Sequence, residues 1–395
     1  MNYGASQMFK PNLLVVAMLG ALAGQAYAEN NSADVTQFGQ TNDVKVEQNG
    51  SEHIAIVDQD GDNNFATIRE DGNSNEIHSY QTGSNNDAAN FSYGVNSSNY
   101  ITASQVGNDN THYNSQNNVT SSSIAIIQEG NNNGGGTSQS NAENSYGVVA
   151  QYGDNNSGSN AQYDAPFSSA SIYQEGDDNF AGNYQHGSYN VMETTQVGNS
   201  NDSFSEQATT TYSFSSVSQY GNQNQAGAIQ RLNGSFNEIN ITQTGNQNVG
   251  RISQDGKSNT ASLNQTGNNN LIAEYGNSPS YLPQIGNGNQ LAVDQVGNRN
   301  ELYFRQNGDS NILTVSQTGD GNELSGFSNG SVNSLEVIQN DIGQVANIQQ
   351  TGDANIVALN QSGLNNTASI NQSSGKNNIS LTQNGTGNTA ALIQN

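Results

Sequence analysis

Short runs in which apolar and polar side chains alternate recur along this chain, separated by polar corners. In Asn355-Ile356-Val357-Ala358-Leu359-Asn360-Gln361 one face carries Asn355, Val357, Leu359 and Gln361. The next run puts Asn366, Ala368, Ile370 and Gln372 on that face, and Asn311, Leu313, Val315 and Gln317 repeat it, as do Asn300, Leu302, Phe304 and Gln306. A period of two is that of a β-strand. The opposite face holds Glu301, Tyr303 and Arg305 in one run and Asp43, Lys45 and Glu47 in another. The pattern predicts charge outward and small aliphatic groups with amides inward.

A glutamine closes each run at a fixed phase. From Gln284 it returns every eleventh residue as Gln295, Gln306, Gln317, Gln339, Gln350, Gln361, Gln372, Gln383 and Gln394, with Ser328 the one substitute. Upstream the same phase passes through Gln37, Gln48, Gln59, Glu70 and Gln81, then Gln105, Gln116, Gln128, Gln139, Gln151, Gln162 and Gln174 in steps of eleven or twelve. It continues through Gln185, Gln196, Gln207, Gln219 and Gln230, slips by two residues, and resumes at Gln243, Gln254 and Gln265. A short period held over hundreds of residues marks a stacked-coil architecture.

A glycine stands two residues after most of these glutamines, as in Gln243-Thr244-Gly245-Asn246-Gln247-Asn248, and gives the backbone a positive φ at a tight corner. Each unit is then one strand and one turn. A lone strand cannot bury its face, so two units form a coil that stacks on its neighbours. The expected fold is all-β: a β-solenoid of about 16 coils, with two short strands per coil of about 22–23 residues. Identical inward positions would form ladders in which stacked Gln and Asn hydrogen-bond along the axis. The expected structural ladder comprises these glutamines together with Asn300, Asn311, Asn355 and Asn366.

Only 32% of residues are hydrophobic, a composition that alone points to disorder. The sustained phase argues against it. Residues 1–28 differ in kind: Lys10 precedes the apolar run Leu13 to Ala23, and Ala26-Tyr27-Ala28 offers the small residues of a signal-peptidase site, so a removed secretory signal is expected there. Residues 29–395 then form the solenoid, with an irregular stretch near 266–283 that contains Pro279 and Pro283. No membrane span is expected after signal removal. There is no cysteine, hence no disulfide framework, and a net charge of −25 argues against nucleic acid or an anionic membrane as partner.

Candidate chemistry is sparse. His53, His78, His112 and His186 sit at different phases with no shared metal spacing, and no catalytic, cofactor-binding or metal residue is assigned. Acidic corners at Asp60-Gly61-Asp62, Glu175-Gly176-Asp177-Asp178, Asp255-Gly256 and Asp320 offer hard oxygen ligands for Ca²⁺. The preferred reading is solvated turns whose charge restrains aggregation. Tyr152-Gly153, Tyr220-Gly221 and Tyr275-Gly276 place aromatics at corners, where local packing is the ordinary outcome.

These residues resemble the curlin repeat of curli, the extracellular amyloid fibres of bacterial biofilms. The family's unit reads Ser, five residues, Gln-x-Gly-x-Gly-Asn-x-Ala, three residues, Gln. In Gln105 to Gln230 paired glutamines lie eleven apart, and Ser122, Ser145, Ser168 and Ser213 each precede a leading glutamine by six. The second glycine is mostly replaced, although Gly286-Asn287-Gly288-Asn289 and Gly319-Asp320-Gly321-Asn322 keep it. The resemblance implies a subunit that associates with itself, with other curli-like subunits or a nucleator, and with export factors. It also implies an extracellular fibre at the bacterial cell surface, serving biofilm matrix and adhesion.

Neither terminus shows room for a cap, so an open head-to-tail filament is expected. The alternative is a monomeric or cell-attached β-solenoid adhesin. An enzyme ranks third, because coils of two short strands leave no wide groove for carboxylates.

Overall fold

The computed structural model describes residues 30–95, 97–274 and 280–395. The expected signal segment, Tyr275 and Pro279 lie outside the described residues. Within them the chain is a β-solenoid of parallel coils with no helix. Sheet A has sixteen strands, from Ser32–Phe38 to Asn378–Thr386, each in register with the strand one coil on. Sheet B faces it, from Asp43–Ser51 to Thr389–Gln394, and stays open because each terminal strand has one neighbour.

Alternation in sequence becomes alternation in burial. In Ile54–Asp62 the residues Ala55, Val57 and Gln59 are buried while Ile54, Asp58 and Asp60 are exposed. Parallel pairing keeps each inward residue over its equivalent, as in Gln219↔Gln243, Ile239↔Ala261 and Val293↔Val315. The corners pair as well: Asn85 N donates to Asp62 O at 3.0 Å, and Asn132 N to Asn108 O at 3.0 Å. Almost the whole backbone of a coil thus finds partners in the coils on either side.

Glycine is demanded at the corner by the coil spacing. Gly245 has φ +114°, and a Cβ there would sit 1.9 Å from the Gly267 carbonyl oxygen of the next coil. A second left-handed residue follows two positions on, at Gln247 with φ 59°, and in most coils it is not glycine. That explains the missing second glycine of the repeat. Asn, Asp and Ser commonly fill this seat, and the first two tolerate the left-handed region best.

The irregular stretch is an insertion that leaves the stack continuous. Thr260–Asn268 pairs directly with Gln290–Asn298 over nine positions, although equivalent residues stand thirty apart there instead of twenty-two. In sheet B the extra residues split one strand into Leu271–Glu274 and Leu282–Ile285, which pair with the two ends of Val249–Asp255. Gln284 takes the register seat beside Gln254, whereas Glu274 lies opposite Phe304 and holds no such seat. Pro283 is buried in the second segment, opposite Ser253. Tyr281 folds back over sheet B, where Gly227 makes room: a Cβ there would meet the ring at 2.5 Å. Pro166 lies in a connecting arc between strands.

Candidate functional site: the inward amide columns

Each glutamine ends the inward face of its strand and so points at its equivalents one coil away. In sheet A this makes an uninterrupted column: Gln37, Gln59, Gln81, Gln105, Gln128, Gln151, Gln174, Gln196, Gln219, Gln243, Gln265, Gln295, Gln317, Gln339, Gln361 and Gln383. Every link runs from Nε2 of the earlier residue to Oε1 of the later, at 2.7–3.0 Å. The second amide hydrogen usually goes to a backbone carbonyl across the interior, as from Gln243 to Gln225 O at 3.0 Å. An amide buried with both groups used costs little, whereas one left unsatisfied costs about 1–3 kcal/mol.

Sheet B carries the second column, in three pieces. Gln48 donates to Glu70 at 2.8 Å. The amide chain resumes at Gln116 and runs through Gln139, Gln162, Gln185, Gln207, Gln230, Gln254 and Gln284 to Gln306, at 2.9–3.2 Å. Ser328 interrupts it, and the last piece joins Gln350, Gln372 and Gln394. The hydroxyl of Ser328 and Oε1 of Gln350 have no hydrogen-bond partner. Gln37, Gln48 and Gln394, in the end coils, are only partly buried.

Beside the glutamines runs a row of clamps at the strand entrances. Asn300 Oδ1 accepts from Asn322 N at 3.1 Å, and its Nδ2 donates to Gly319 O at 2.9 Å. Asn311 and Asn355 bind the following coil through Asn333 N and Asn377 N, and Asn366 through Asn388 N. Asn366 Nδ2 also reaches Gly385 O. On the sheet A side Ser122, Ser145, Ser168 and Ser213 occupy these seats, with Ser145 Oγ donating to Ala165 O. His53 does so by receiving Asn75 N on Nδ1.

Two buried titratable groups lie inside sheet B. Burial pushes the Glu70 carboxyl up to about 8 against the opposing hydrogen bond from Gln48, and nearby Glu76 raises it further. Glu70 is therefore protonated at neutral pH, with Oε1 unpartnered. Burial pulls His112 down to about 3, so its neutral ring contacts Asn90 Oδ1 through Nε2 at 3.2 Å.

The acidic corners act as hydrogen-bond acceptors: Asp62 receives Gln40 N at 2.8 Å and Asp154 receives Asn131 N at 2.7 Å. Among the described residues no group of three or more His, Cys, Asp or Glu is placed to hold a metal ion. Tyr152 leans on Tyr173 at 5.6 Å, and Tyr220 is exposed.

One feature escaped the reading of glutamine phase. Phe167, Tyr189, Tyr212 and Phe236 stack in consecutive coils, with centroids 4.6–5.3 Å apart and planes within 6–7°. All four occupy left-handed seats with φ of 52–58° and are exposed. The signal was available: each immediately precedes the clamp residue Ser168, Asn190, Ser213 or Asn237.

The Curlin associated repeat model matches residues 39–69, 213–245, 234–267 and 286–319. Each match takes in a stretch of corner glycine, clamp and register glutamine described above. No curated protein matches the chain.

Proposed function

We propose, from a chain that is a curlin-repeat protein, that it is a secreted structural subunit which polymerises end to end into curli-like functional amyloid fibres of a biofilm matrix. The carrying observation is the polarity of the columns. All links donate from earlier to later residue, so Gln383 and Gln394, whose Nε2 groups bond only Thr367 O and Asn378 O, each keep one amide hydrogen for a next copy at one end, and Gln37 and Gln48 keep Oε1 at the other. Gln37 and Gln48 are eleven residues apart, as are Gln383 and Gln394, so one docking pose continues both columns into the next copy. The end coils also leave Val35 42% exposed and Leu381 and Leu392 partly buried at positions whose mid-stack equivalents are closed. Such heterologous contacts do not close on themselves.

Fibre growth, a matrix role, adhesion and export by a signal peptide in residues 1–28 all belong to this proposal. Incubated protein should give fibres by electron microscopy, a thioflavin response and a reflection near 4.7 Å. Fragmented fibres should seed fresh protein, and Gln383→Ala with Gln394→Ala should slow seeded growth by more than the lowered denaturation midpoint from losing the Gln361 and Gln372 bonds accounts for. Protein that stays monomeric under all these conditions overturns the proposal and favours the β-solenoid adhesin.

A further inference from the structure

One stretch of the outer face of sheet B is bare. In Gly134–Ser140 the outward positions are Gly134, Gly136 and Ser138, and in the next strand, Ser157–Tyr163, they begin with Ser157 and Ser159. The flanking strands raise aromatic walls: Tyr113 on one side, 53% exposed, and Phe180 on the other, 50% exposed. Three inter-strand steps of about 4.8 Å separate those walls, so the trough is about 14 Å across and two strands wide at its floor.

The two outward glycines have different causes. At Gly136 a Cβ would lie 2.7 Å from the Tyr113 carbonyl oxygen, so the backbone forbids a side chain. At Gly134 the nearest atom to a Cβ would be Thr111 Oγ1 at 3.9 Å, and φ is not left-handed. Glycine inside a strand costs about 0.5–1 kcal/mol, and nothing in the fold requires it there. What its missing side chain does provide is an open floor.

The trough's chemistry selects its occupant. Ser157 and Ser159 on the floor and Thr111 beside the Tyr113 wall present exposed hydroxyls, and the lining holds no Lys or Arg, only the carboxylate of Asp87 at its edge next to Thr111. An anionic ligand would meet no cation and a chain of net charge −25. Sugar rings offer apolar C–H faces to aromatics and hydroxyls to the floor, and they carry no charge. We propose that this trough binds a neutral, linear polysaccharide, several hexose rings at a time. The site is on the solenoid's flank and does not depend on end-to-end polymerisation.

The test uses the full chain, as monomer and as fibre, titrated with a β-1,4-linked glucose hexamer by calorimetry or ligand-observed NMR. Saturable binding is expected, weakened at least about tenfold by Gly134→Tyr and by Tyr113→Ala. Gly134→Tyr should leave the denaturation midpoint unchanged or raised, since it replaces a strand glycine by a strand former. A hexauronate of the same length should not compete. No hexamer binding by the parent chain, or undiminished binding by a stably folded Gly134→Tyr variant, overturns the proposal. Loss of fibre growth with binding retained bears only on polymerisation.

Discussion

Sheets A and B are built from the same repeat, yet only sheet A keeps its amide column whole. Its sixteen glutamines link without a gap, and inward neighbours such as Ile101, Ile124, Ile172, Ile239 and Leu263 are fully buried. Sheet B holds Glu70, Ser92 and Ser328 in glutamine seats, puts Asn90, His112, Asn114, Asn160 and Asn183 in its interior, and takes the insertion near Tyr281. The aliphatic interior divides along the axis, through both sheets. One cluster spans Ala55 to Ala181 and a larger one Val217 to Ile379, with Thr194, Ser203 and Ser205 buried between them. A stack needs one faithful rail to hold register; once that rail is present, the other sheet tolerates exceptions and is free to carry surface chemistry.

The sharpest test compares one glutamine from each column. Gln219→Ala removes links to Gln196 and Gln243, leaving Gln243 Oε1 and one of the two Gln196 Nε2 hydrogens buried without partners, for a loss of about 3–5 kcal/mol with the cavity. Gln350→Ala, beside the existing break, should cost about 1–2 kcal/mol less, because its Oε1 is already unpartnered. Equal denaturation midpoints for the two variants would refute the division between the rails.

Next in size is a pH effect confined to sheet B. The folded chain keeps the Glu70 proton up to about pH 8, whereas the unfolded chain releases it near the ordinary glutamate value of 4.5. Stability therefore falls as pH rises across that window and levels off above it. His112 acts oppositely: it stays neutral down to about 3 when folded and protonates near 6.5 when unfolded, so stability falls as pH drops from 6.5 toward 3. Denaturation midpoints across pH 3–9 should peak between these limbs. Glu70→Gln should flatten the alkaline limb, and His112→Asn the acid one.

Repairing the break is worth less. Ser328→Gln should join Gln306 to Gln350 through a new amide pair and stabilise by about 1–2 kcal/mol, read as a raised midpoint. The smallest effect belongs to the aromatic stack. Tyr212→Asn gives up ring stacking of about 0.5–1.5 kcal/mol but relieves a bulky left-handed residue, so a change within about 0.5 kcal/mol is expected.

Much of this was legible in the chain. Alternation around Val357 and Leu359 assigned strands and faces, the spacing from Gln284 to Gln394 set the coil, and glycines such as Gly245 marked corners. The candidate trough was not, because Gly134 and Gly136 read as a weak strand until Tyr113 and Phe180 stand on either side. The stretch near Gln265 to Gln284 read as a break in spacing, but pairing of Thr260–Asn268 with Gln290–Asn298 carries the stack across it.

The sequence by itself determined the unit, its inward and outward faces and its register, since these rest on periods of two and eleven that neighbouring residues express locally. Only the tertiary structure decided which sheet holds the intact column, where buried Glu70 and His112 lose their charge, and which surface rings meet. Those properties depend on residues twenty-two or more positions away, brought within hydrogen-bond or ring contact by the stacking of one coil on the next.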